Sequence, residues 1–537
     1  MPPRIEIYDT TLRDGSQGEG VSFSALGKIE VARKLDAFGV DFIEGGWPGS
    51  NPKDMEFFAA ARNLSLRHAR IAAFGSTRHA KNTPGRDRNL RQLVQSGAPV
   101  VTIFGKSWDL HVTDALRVTL DENLEMIRSS IRYLKKRCET LFYDAEHFYD
   151  GYKADADYAL KTLRAAVDAG AQRLVLCDTN GGTLPADIEA ITRTVIDRFP
   201  QALVGIHTHN DCGLAVAGAV AAVRAGARHV QGTINGIGER CGNCDLTCLL
   251  PILELKMGYA CVGRKNLRQL TELSRYVYEQ ANVPFLDRQP FVGKSAFAHK
   301  GGIHVSAVQR NERTYEHVTP ESVGNERRVL VSELSGKSNI LARSNVDLSR
   351  KPEAMSKVLS EIMERELAGY AYESADASFD LLVRRTLGTL EPSFTIEGFR
   401  VISEAPGQGQ RMSEATVRVR VNDVLEHTVA EGEEGPVGAL DRALRKALVP
   451  HYPAVAEVRL SDYKVVIVNP SKATAASVRV TIESADHSDV WYTVGASANI
   501  IEASALALAD AYEYKITKDR TPAGRASART RRQRAAR

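Results

Sequence analysis

The sequence predicts a (β/α)8 barrel followed by a helical linker and a strand-rich C-terminal domain that contains an internal repeat. Three observations support this fold class. Short apolar β-rich runs recur about every 30 residues, helical patterns separate them, and two similar strand-and-helix segments follow residue 375. The expected domains are the barrel at 1–262, the linker at 263–374, the C-terminal domain at 375–515 and a basic tail at 516–537.

Eight β-rich runs would form the barrel: RIEIYDTT, VDFIEGG, RIAAFGS, PVVTIFG, TLFYDAE, RLVLCDT, ALVGIHTH and RHVQGTIN. Between the fourth and fifth runs, the segment 121–137 has apolar residues at spacings of three and four, which predicts a helix. Strand and helix alternating over this length favour a barrel over a doubly wound sheet. No GxGxxG motif follows the first run, which argues against a dinucleotide-binding fold.

The composition is that of a globular protein, with 43% hydrophobic and 25% charged residues among 537. The formal net charge of +4 comes from residues 525–537, which hold six arginines and no acid, so the remainder carries −2. We interpret this run as a solvated, disordered end. No aromatic residues are interleaved in it, which argues against nucleic-acid binding.

Neither a secretory signal nor a membrane span is expected. Acids and arginines interrupt the first residues, and no 18 consecutive residues are apolar. Seven cysteines without a signal suggest reduced thiols. We therefore expect a cytoplasmic protein with no membrane or nucleic-acid partner.

Polar residues are concentrated where the predicted strands end, which is the end that carries the active site of barrel enzymes. The set, in chain order, is Arg13, Asp14, Glu44, Asp144, Glu146, Asp178, Thr179, Asn180, His207, His209, Asn210, Asp211, Asn235, Glu239, Arg240 and Asn243. We expect these groups to converge on one face of the barrel.

His207 and His209 are the sharpest signal for a metal site. Residues i and i+2 of a strand point to the same side, so both imidazoles can reach one ion. With Asp14, and with Asn243 as a further candidate, the ligands would suit Mn²⁺, Mg²⁺ or Zn²⁺ in an open, catalytic arrangement. The alternative is a pair of hydrogen-bonded core histidines.

Cys241, Cys244 and Cys248 form a second candidate cluster. No fourth ligand follows at a suitable spacing, and Cys248 begins an apolar helical segment. We interpret the three cysteines as small buried residues and not as a zinc or iron–sulfur site.

Three motifs in order, DTTLRDGSQ at 9–17, HTHND at 207–211 and GTINGIGERCGN at 232–243, resemble the DRE-TIM metallolyase superfamily. Over about residues 4–515 the chain is similar to its family of 2-isopropylmalate, homocitrate and citramalate synthases. The long-form citramalate synthases are the most similar members, through GEGVSFS, FIEGGWPGSNPKD, FGSTR, FGKSWDLHV, CDTNGG and FAHKGGIHVSAV.

The resemblance implies a divalent-metal-dependent condensation of acetyl-CoA with a 2-oxo acid, followed by hydrolysis of the thioester. In the long-form members the 2-oxo acid is pyruvate and the product, citramalate, leads to isoleucine. Alternatives that stay open are a 2-isopropylmalate or homocitrate synthase and a lyase or aldolase on the same barrel. The intact Arg13, Asp14, Glu146, His207 and His209 argue against a non-catalytic sensor.

The resemblance also assigns site residues. The metal ligands would be Asp14, His207, His209 and Asn243. Arg13 would stabilise the developing alkoxide, and Glu146 would act with His304 in proton transfer, although nearby His299 is an alternative to His304. Substrate contacts are expected from Arg13, Asp14, Gln17, Asp144 and Thr179.

The chain departs from the family pattern at two positions. When Ser335-Gly336-Lys337 is aligned, Arg327 stands where 2-isopropylmalate synthases have a catalytic tyrosine. Asp144 stands where the family has serine or tyrosine. In the linker, Lys294, Lys300 and Lys337 are candidates for contacts with the CoA phosphates, with a solvated helix face as the alternative.

The C-terminal domain contains a duplicated unit. The runs ATVRVRV and SVRVTI recur, each followed by a Thr-Val strand and a helix. One copy has too little sheet to bury both faces, so the halves are expected to pack together. The domain resembles the regulatory domain of 2-isopropylmalate synthases, which implies a homodimer and an amino-acid effector, isoleucine first and leucine second. The alternative is a purely structural dimerisation domain.

Overall fold

The eight predicted runs form a closed barrel of parallel strands, in which each strand pairs with the next and the first pairs with the eighth. This confirms the predicted fold class. This computed structural model describes residues 2–330, 352–404, 412–432, 435–469 and 476–520. The strands are β1 (Glu6–Asp9), β2 (Phe42–Gly46), β3 (Arg70–Ser76), β4 (Val100–Lys106), β5 (Thr140–Glu146), β6 (Arg173–Asp178), β7 (Leu203–Thr208) and β8 (His229–Gly232).

Helices alternate with the strands and bury an apolar face against them. On the helix predicted at 121–137, Leu124, Ile127, Ile131 and Leu134 are all buried. Burial of each strand between this helical layer and the barrel interior explains why the strands are continuous apolar runs. The helices are α1 (Ala25–Phe38), α2 (Pro52–Ala61), α3 (Arg88–Ser96), α4 (Leu120–Lys135), α5 (Phe148–Ala154), α6 (Ala156–Ala169), α7 (Pro185–Arg198) and α8 (Ala215–Ala225).

The compact unit that contains the barrel extends past residue 262, the boundary expected from the sequence. It continues to Phe297 and includes His317–Arg327. Helix α9 (Leu246–Pro251) lies before this boundary, and the added helices α10 (Arg264–Leu267) and α11 (Leu270–Ala281) contribute further buried leucines to the barrel's hydrophobic core. This packing explains why the segment belongs to the barrel unit.

A second compact unit comprises Ala298–Glu316 and the chain from Arg328 onward. Its first elements are β9 (Ala298–His299), α12 (Gly302–Arg310), β10 (Arg328–Val329), α13 (Pro352–Leu367) and α14 (Asp376–Thr386). The segment Ser335-Gly336-Lys337 and residues 521–537 of the expected tail lie outside the described residues.

The predicted repeat consists of two three-stranded antiparallel sheets, each followed by a helix. Val417 and Leu444 of the first copy share one hydrophobic core with Ile482 and Leu508 of the second, so the halves pack together as expected. The first copy contains β11 (Phe394–Glu404), β12 (Met412–Val421), β13 (Val424–Gly432) and α15 (Pro436–Leu448). The second contains β14 (Arg459–Ile467), β15 (Val478–Ala485), β16 (Val490–Ser497) and α16 (Ile500–Arg520).

Helix α16 continues to Arg520, although the sequence suggested that a tail begins at residue 516. Ile516 is buried, and the buried Lys515 ammonium lies 2.9 Å from Glu457 and 2.7 Å from Asp486. These contacts hold the last turns of the helix on the domain. Among the helices of the described residues, none combines the length and the apolarity needed to cross a bilayer.

Candidate active site

Three of the predicted metal ligands meet at the carboxyl end of the barrel. Asp14 Oδ2 lies 3.4 Å from His207 Nε2 and 3.9 Å from His209 Nε2, and the two Nε2 atoms are 3.3 Å apart. All three side chains are buried. One carboxylate oxygen and two imidazole nitrogens this close together suit a single divalent ion.

The fold explains this convergence. His207 lies on β7 and His209 just beyond it on the same side, as the period of a strand requires. Asp14 lies in the turn after β1, where its backbone N–H donates to the Thr10 hydroxyl at 3.3 Å. Because β1 and β7 both flank β8, their carboxyl ends meet at one place.

The Asn243 side chain provides a test of whether a metal fits here. The backbone of Asn243 bridges to that of His209, and its amide is buried. Within the described residues, neither its Oδ1 nor its Nδ2 has a hydrogen-bond partner. A buried amide without partners is costly, and an oxygen ligand to an ion would remove part of that cost. The residues present therefore fit a divalent metal.

Glycines allow the loop that carries Asn243 to fold this tightly. A Cβ on Gly238 would lie 2.1 Å from Asn243 Nδ2, and one on Gly242 would lie 1.9 Å from the Gly236 carbonyl oxygen. Gly242 also has a φ of 91°. Only glycine meets both demands, which explains the spacing of the GIGERCGN motif.

Burial and neighbouring charges shift the pKa values of the candidate metal ligands. Burial opposes ionisation of Asp14, but the Arg13 guanidinium beside it holds the pKa of that carboxyl well below its usual range. Burial and the neighbouring His207 lower the pKa of His209 to about 4. Asp14 and His209 are therefore in the forms that bind metals, an ionised carboxylate and a neutral imidazole. At His207 burial lowers the pKa, but the neighbouring Asp14 carboxylate outweighs burial and raises it, so a metal bound there would displace a proton.

Gln231 on β8 is a site residue that the sequence analysis missed. His207 Nδ1 and Gln231 Oε1 are 2.8 Å apart, and Gln231 Nε2 donates to Asp144 Oδ1 at 3.2 Å. Since an amide oxygen only accepts, His207 carries a proton on Nδ1, and its Nε2 faces Asp14 and His209. The available signal was a polar glutamine within the predicted strand RHVQGTIN, and the structure shows that its side chain is fully buried.

Arg13 is held by three contacts. Its Nε lies 2.5 Å from Glu44 Oε2, its Nη1 lies 3.1 Å from Asp14 Oδ2, and its guanidinium lies over the Phe74 ring at 3.7 Å. Glu44 is fully buried and also accepts hydrogen bonds from Tyr8 and Thr10. The result is a rigid cation next to the candidate metal ligands.

Asp144 and Glu146 occupy different environments on β5. Asp144 is buried, and this burial raises its pKa to about 7. Glu146 forms an ion pair with Lys106, which ends β4 in register with it. The sequence analysis did not identify Lys106, since register between strands is not visible in a single run.

The other residues predicted to contact substrate or transfer protons have contacts of their own. Thr179 accepts a hydrogen bond from the His147 backbone N–H at 2.9 Å, and the Gln17 side chain is exposed. His304 lies exposed on α12 in the second unit, where its ring stacks on Tyr315 at 4.2 Å. His299 instead contacts Glu316 at 3.2 Å. The roles assigned to these residues stay predictions.

The cysteine expectation needs one correction. Cys244 and Cys248 are buried, and burial raises the pKa of both thiols, but Cys241 is exposed. Cys241 lies in the tight turn between Gly238 and Asn243, whereas Cys248 lies on the apolar helix α9.

Comparison with known proteins gives three adjoining family matches. The HMGL-like family matches residues 4–277, the homocitrate synthase post-HMGL domain-like family matches 291–368, and the LeuA allosteric (dimerisation) domain matches 373–516.

Related proteins match over nearly the whole chain. An (R)-citramalate synthase of Geobacter sulfurreducens is 54% identical over 96% of this chain and 98% of its own. In Sulfolobus acidocaldarius, an (R)-citramalate synthase is 46% identical over 96% of this chain and 97% of its own. A 2-isopropylmalate synthase of the same organism is 36% identical over 70% of this chain and 94% of its own.

Gln231 offers a test of the metal site that does not depend on turnover. Gln231→Leu removes the acceptor that orients His207, so we expect affinity for Mn²⁺ to fall about 10- to 100-fold in a calorimetric titration. Gln231→Glu is the comparison variant: its carboxylate still accepts from His207 Nδ1, although it no longer donates to Asp144, and it should retain much more of that affinity than Gln231→Leu. Equal losses in both variants would show that His207 orientation does not set the affinity.

Proposed function

The chain belongs to the family of (R)-citramalate synthases, and from this premise we propose that it condenses acetyl-CoA with pyruvate and hydrolyses the thioester to give (R)-citramalate and CoA. The protein is thus an acyltransferase whose acyl group becomes an alkyl group on transfer. The observation that carries the proposal is the buried Asp14, His207 and His209 group beside a fixed Arg13.

Members of this family depend on a divalent metal. Asp14, His207 and His209 would hold the ion here, with Asn243 as a candidate fourth ligand and Mn²⁺, Mg²⁺ or Zn²⁺ as candidate ions. When bound, such an ion polarises the keto carbonyl of a 2-oxo acid and orients it for attack.

Arg13 would stabilise the negative charge that develops on the keto oxygen of pyruvate. Glu44 and the Phe74 ring fix the guanidinium before the reaction, so no reorganisation is needed when the charge forms. The neighbouring Asp14 and Glu44 carboxylates outweigh the effect of burial and raise the pKa of Arg13, which keeps it cationic.

Proton transfer would begin at the methyl group of acetyl-CoA. Glu146, with His304 as its partner, would remove a methyl proton, and the resulting carbanion would form the new C–C bond at the keto carbon of pyruvate. The alkoxide then takes up a proton. Water finally attacks the thioester carbonyl, the C–S bond breaks, and CoA leaves as the thiol.

Asp144, Gln17 and Thr179 complete the proposed substrate contacts. Asp144 is linked to His207 through Gln231, which places its carboxyl beside the metal ligands. A carboxyl with a pKa of about 7 can hold or release a proton near neutral pH, so it could exchange one with the alkoxide.

The choice of 2-oxo acid is tested by thiol release from acetyl-CoA with pyruvate, 2-oxoisovalerate or 2-oxoglutarate. We expect pyruvate to be preferred at least about tenfold in kcat/KM. Removal of metal with EDTA, or His207→Ala, should abolish thiol release, and Mn²⁺ should restore it only to the unmutated protein. A preference for 2-oxoisovalerate would contradict the proposal.

The Lys106–Glu146 ion pair predicts an effect on turnover. Lys106→Met removes the cation that holds the Glu146 carboxylate in place, so kcat for thiol release should fall about tenfold while the KM for pyruvate stays within about twofold. Lys106→Arg keeps the charge and should retain most of the rate. An unchanged kcat in Lys106→Met would show that the ion pair does not position Glu146.

The C-terminal domain would confer feedback control. Its match to the LeuA allosteric (dimerisation) domain supports a homodimer with an amino-acid effector, and we propose isoleucine as that effector. Isoleucine should inhibit thiol release at concentrations about tenfold below those of leucine. Inhibition by leucine alone would show that leucine, and not isoleucine, is the effector. Insensitivity to both amino acids would favour a purely structural dimerisation domain.

A further inference from the structure

A cationic cavity lies at the carboxyl ends of the barrel strands, and none of the candidate metal ligands lines it. Its volume is about 770 Å³, and the carboxyl ends of β3 and β4 and the loops after them form its wall. We call it the β3–β4 cavity. Its wall carries one carboxylate, Asp87, and five basic side chains, which are Arg78, Lys81, Arg88, Lys106 and Arg117.

Two of the charged wall residues have structural roles. Arg78 Nε donates to the Ser129 hydroxyl at 2.8 Å, and its Nη2 donates to Glu122 at 3.0 Å. Asp87 accepts from the backbone N–H groups of His79 and Leu90, at 3.0 and 3.1 Å. These contacts fix the loop between β3 and α3 and so define the shape of the wall.

Lys81, Arg88 and Arg117 are different, because their charged groups are exposed. No carboxylate of the described residues forms an ion pair with any of these three cations. Basic groups gathered on one concave surface raise its positive potential, and a bound polyanion relieves their mutual repulsion.

The fifth basic residue connects the cavity to the proposed chemistry. Lys106 lines the cavity, and its ammonium contacts Glu146, the proposed base. A ligand in the cavity could therefore present one end to Glu146 and keep its anionic groups near Lys81, Arg88 and Arg117. Acyl-CoA has that form, since a long uncharged arm separates its thioester from its phosphates.

We propose that the β3–β4 cavity binds the phosphate groups of acetyl-CoA through Lys81, Arg88 and Arg117. This inference rests on the proposed function for the identity of the ligand. It places these contacts in the barrel's own loops and not on the linker lysines suggested by the sequence. Of those, Lys300 lies 3.2 Å from Glu373 and Lys337 is outside the described residues.

A second basic cavity shows that charge alone does not select the site. A cavity of about 1000 Å³ at the amino ends of the strands is lined by Arg4 and Arg33 among others. Arg4 pairs with Asp41, and Arg33 pairs with Glu30 at 2.7 Å. Its cations are thus partly neutralised, and it lies at the end of the barrel opposite the active site.

The test compares acetyl-CoA with acetyl-dephospho-CoA, which lacks the 3′-phosphate. In the unmutated protein we expect the KM for the dephospho substrate to be about tenfold higher, because a charge-assisted hydrogen bond is worth about a factor of ten. The variant Lys81→Ala/Arg88→Ala/Arg117→Asn should raise the KM for acetyl-CoA about 30-fold or more and lose the discrimination between the two substrates. Asparagine is chosen because Arg117 has a φ of 57°.

The control variant, Lys136→Ala/Lys161→Ala/Arg224→Ala, removes the same charge from exposed positions on the barrel helices or directly after them. It should leave the KM for acetyl-CoA and the discrimination unchanged, and both variants should keep the KM for pyruvate within about twofold. A similar rise of the KM for acetyl-CoA in the control variant would show that overall charge causes the effect, and it would overturn the proposal. Equal KM values for acetyl-CoA and acetyl-dephospho-CoA in the unmutated protein would also overturn it.

Calorimetric binding of 3′,5′-ADP, without pyruvate or metal, separates this inference from the proposed function. Binding that the cavity variant loses and the control retains supports the cavity, even if pyruvate proves not to be the acceptor. Equal binding of 3′,5′-ADP by all three proteins would overturn the cavity assignment, even if citramalate is formed. Inorganic phosphate that displaces 3′,5′-ADP at equal concentration would mean that the site recognises any phosphate and not CoA.

Discussion

The pairing of β1 with β8 is the constraint on which the rest of the site depends. Glu6 to Asp9 pair with His229 to Gly232, and this closes the barrel. The closure brings Asp14, near the start of the chain, to within 4 Å of two histidines nearly 200 residues later. It also places Gln231, on the closing strand, next to His207. Without closure, Asp14 and the two histidines would lie near opposite edges of an open sheet.

Buried charge is tolerated here because it is arranged in contacting pairs. Arg13 lies between Asp14 and Glu44, and Glu44 is further satisfied by two hydroxyl groups. Such an arrangement is costly to build, since each charge loses its hydration, and it is useful only when the field it produces is needed. In a condensing enzyme, that need is the negative charge that forms on the keto oxygen.

The two compact units have different proposed roles. The barrel unit holds the candidate metal ligands, the fixed arginine and the cationic cavity, all at the carboxyl ends of its strands. The second unit contains α12 with His304 and a duplicated domain whose two halves share one core. A domain that folds around its own core can bind an effector without rebuilding the barrel, which suits a regulatory role.

The sequence by itself determined the barrel, the repeat and the residues with a local signature. The eight apolar runs, the spacing of His207 and His209, and the motif around Asp14 are visible because each depends on neighbouring residues in the chain. The tertiary structure alone decided which groups support them. Gln231 meets His207, Lys106 meets Glu146, and Lys81 joins Arg117 in one cavity, through strand register and loop packing. Those relations join residues distant in sequence, and no periodicity within a single segment records them.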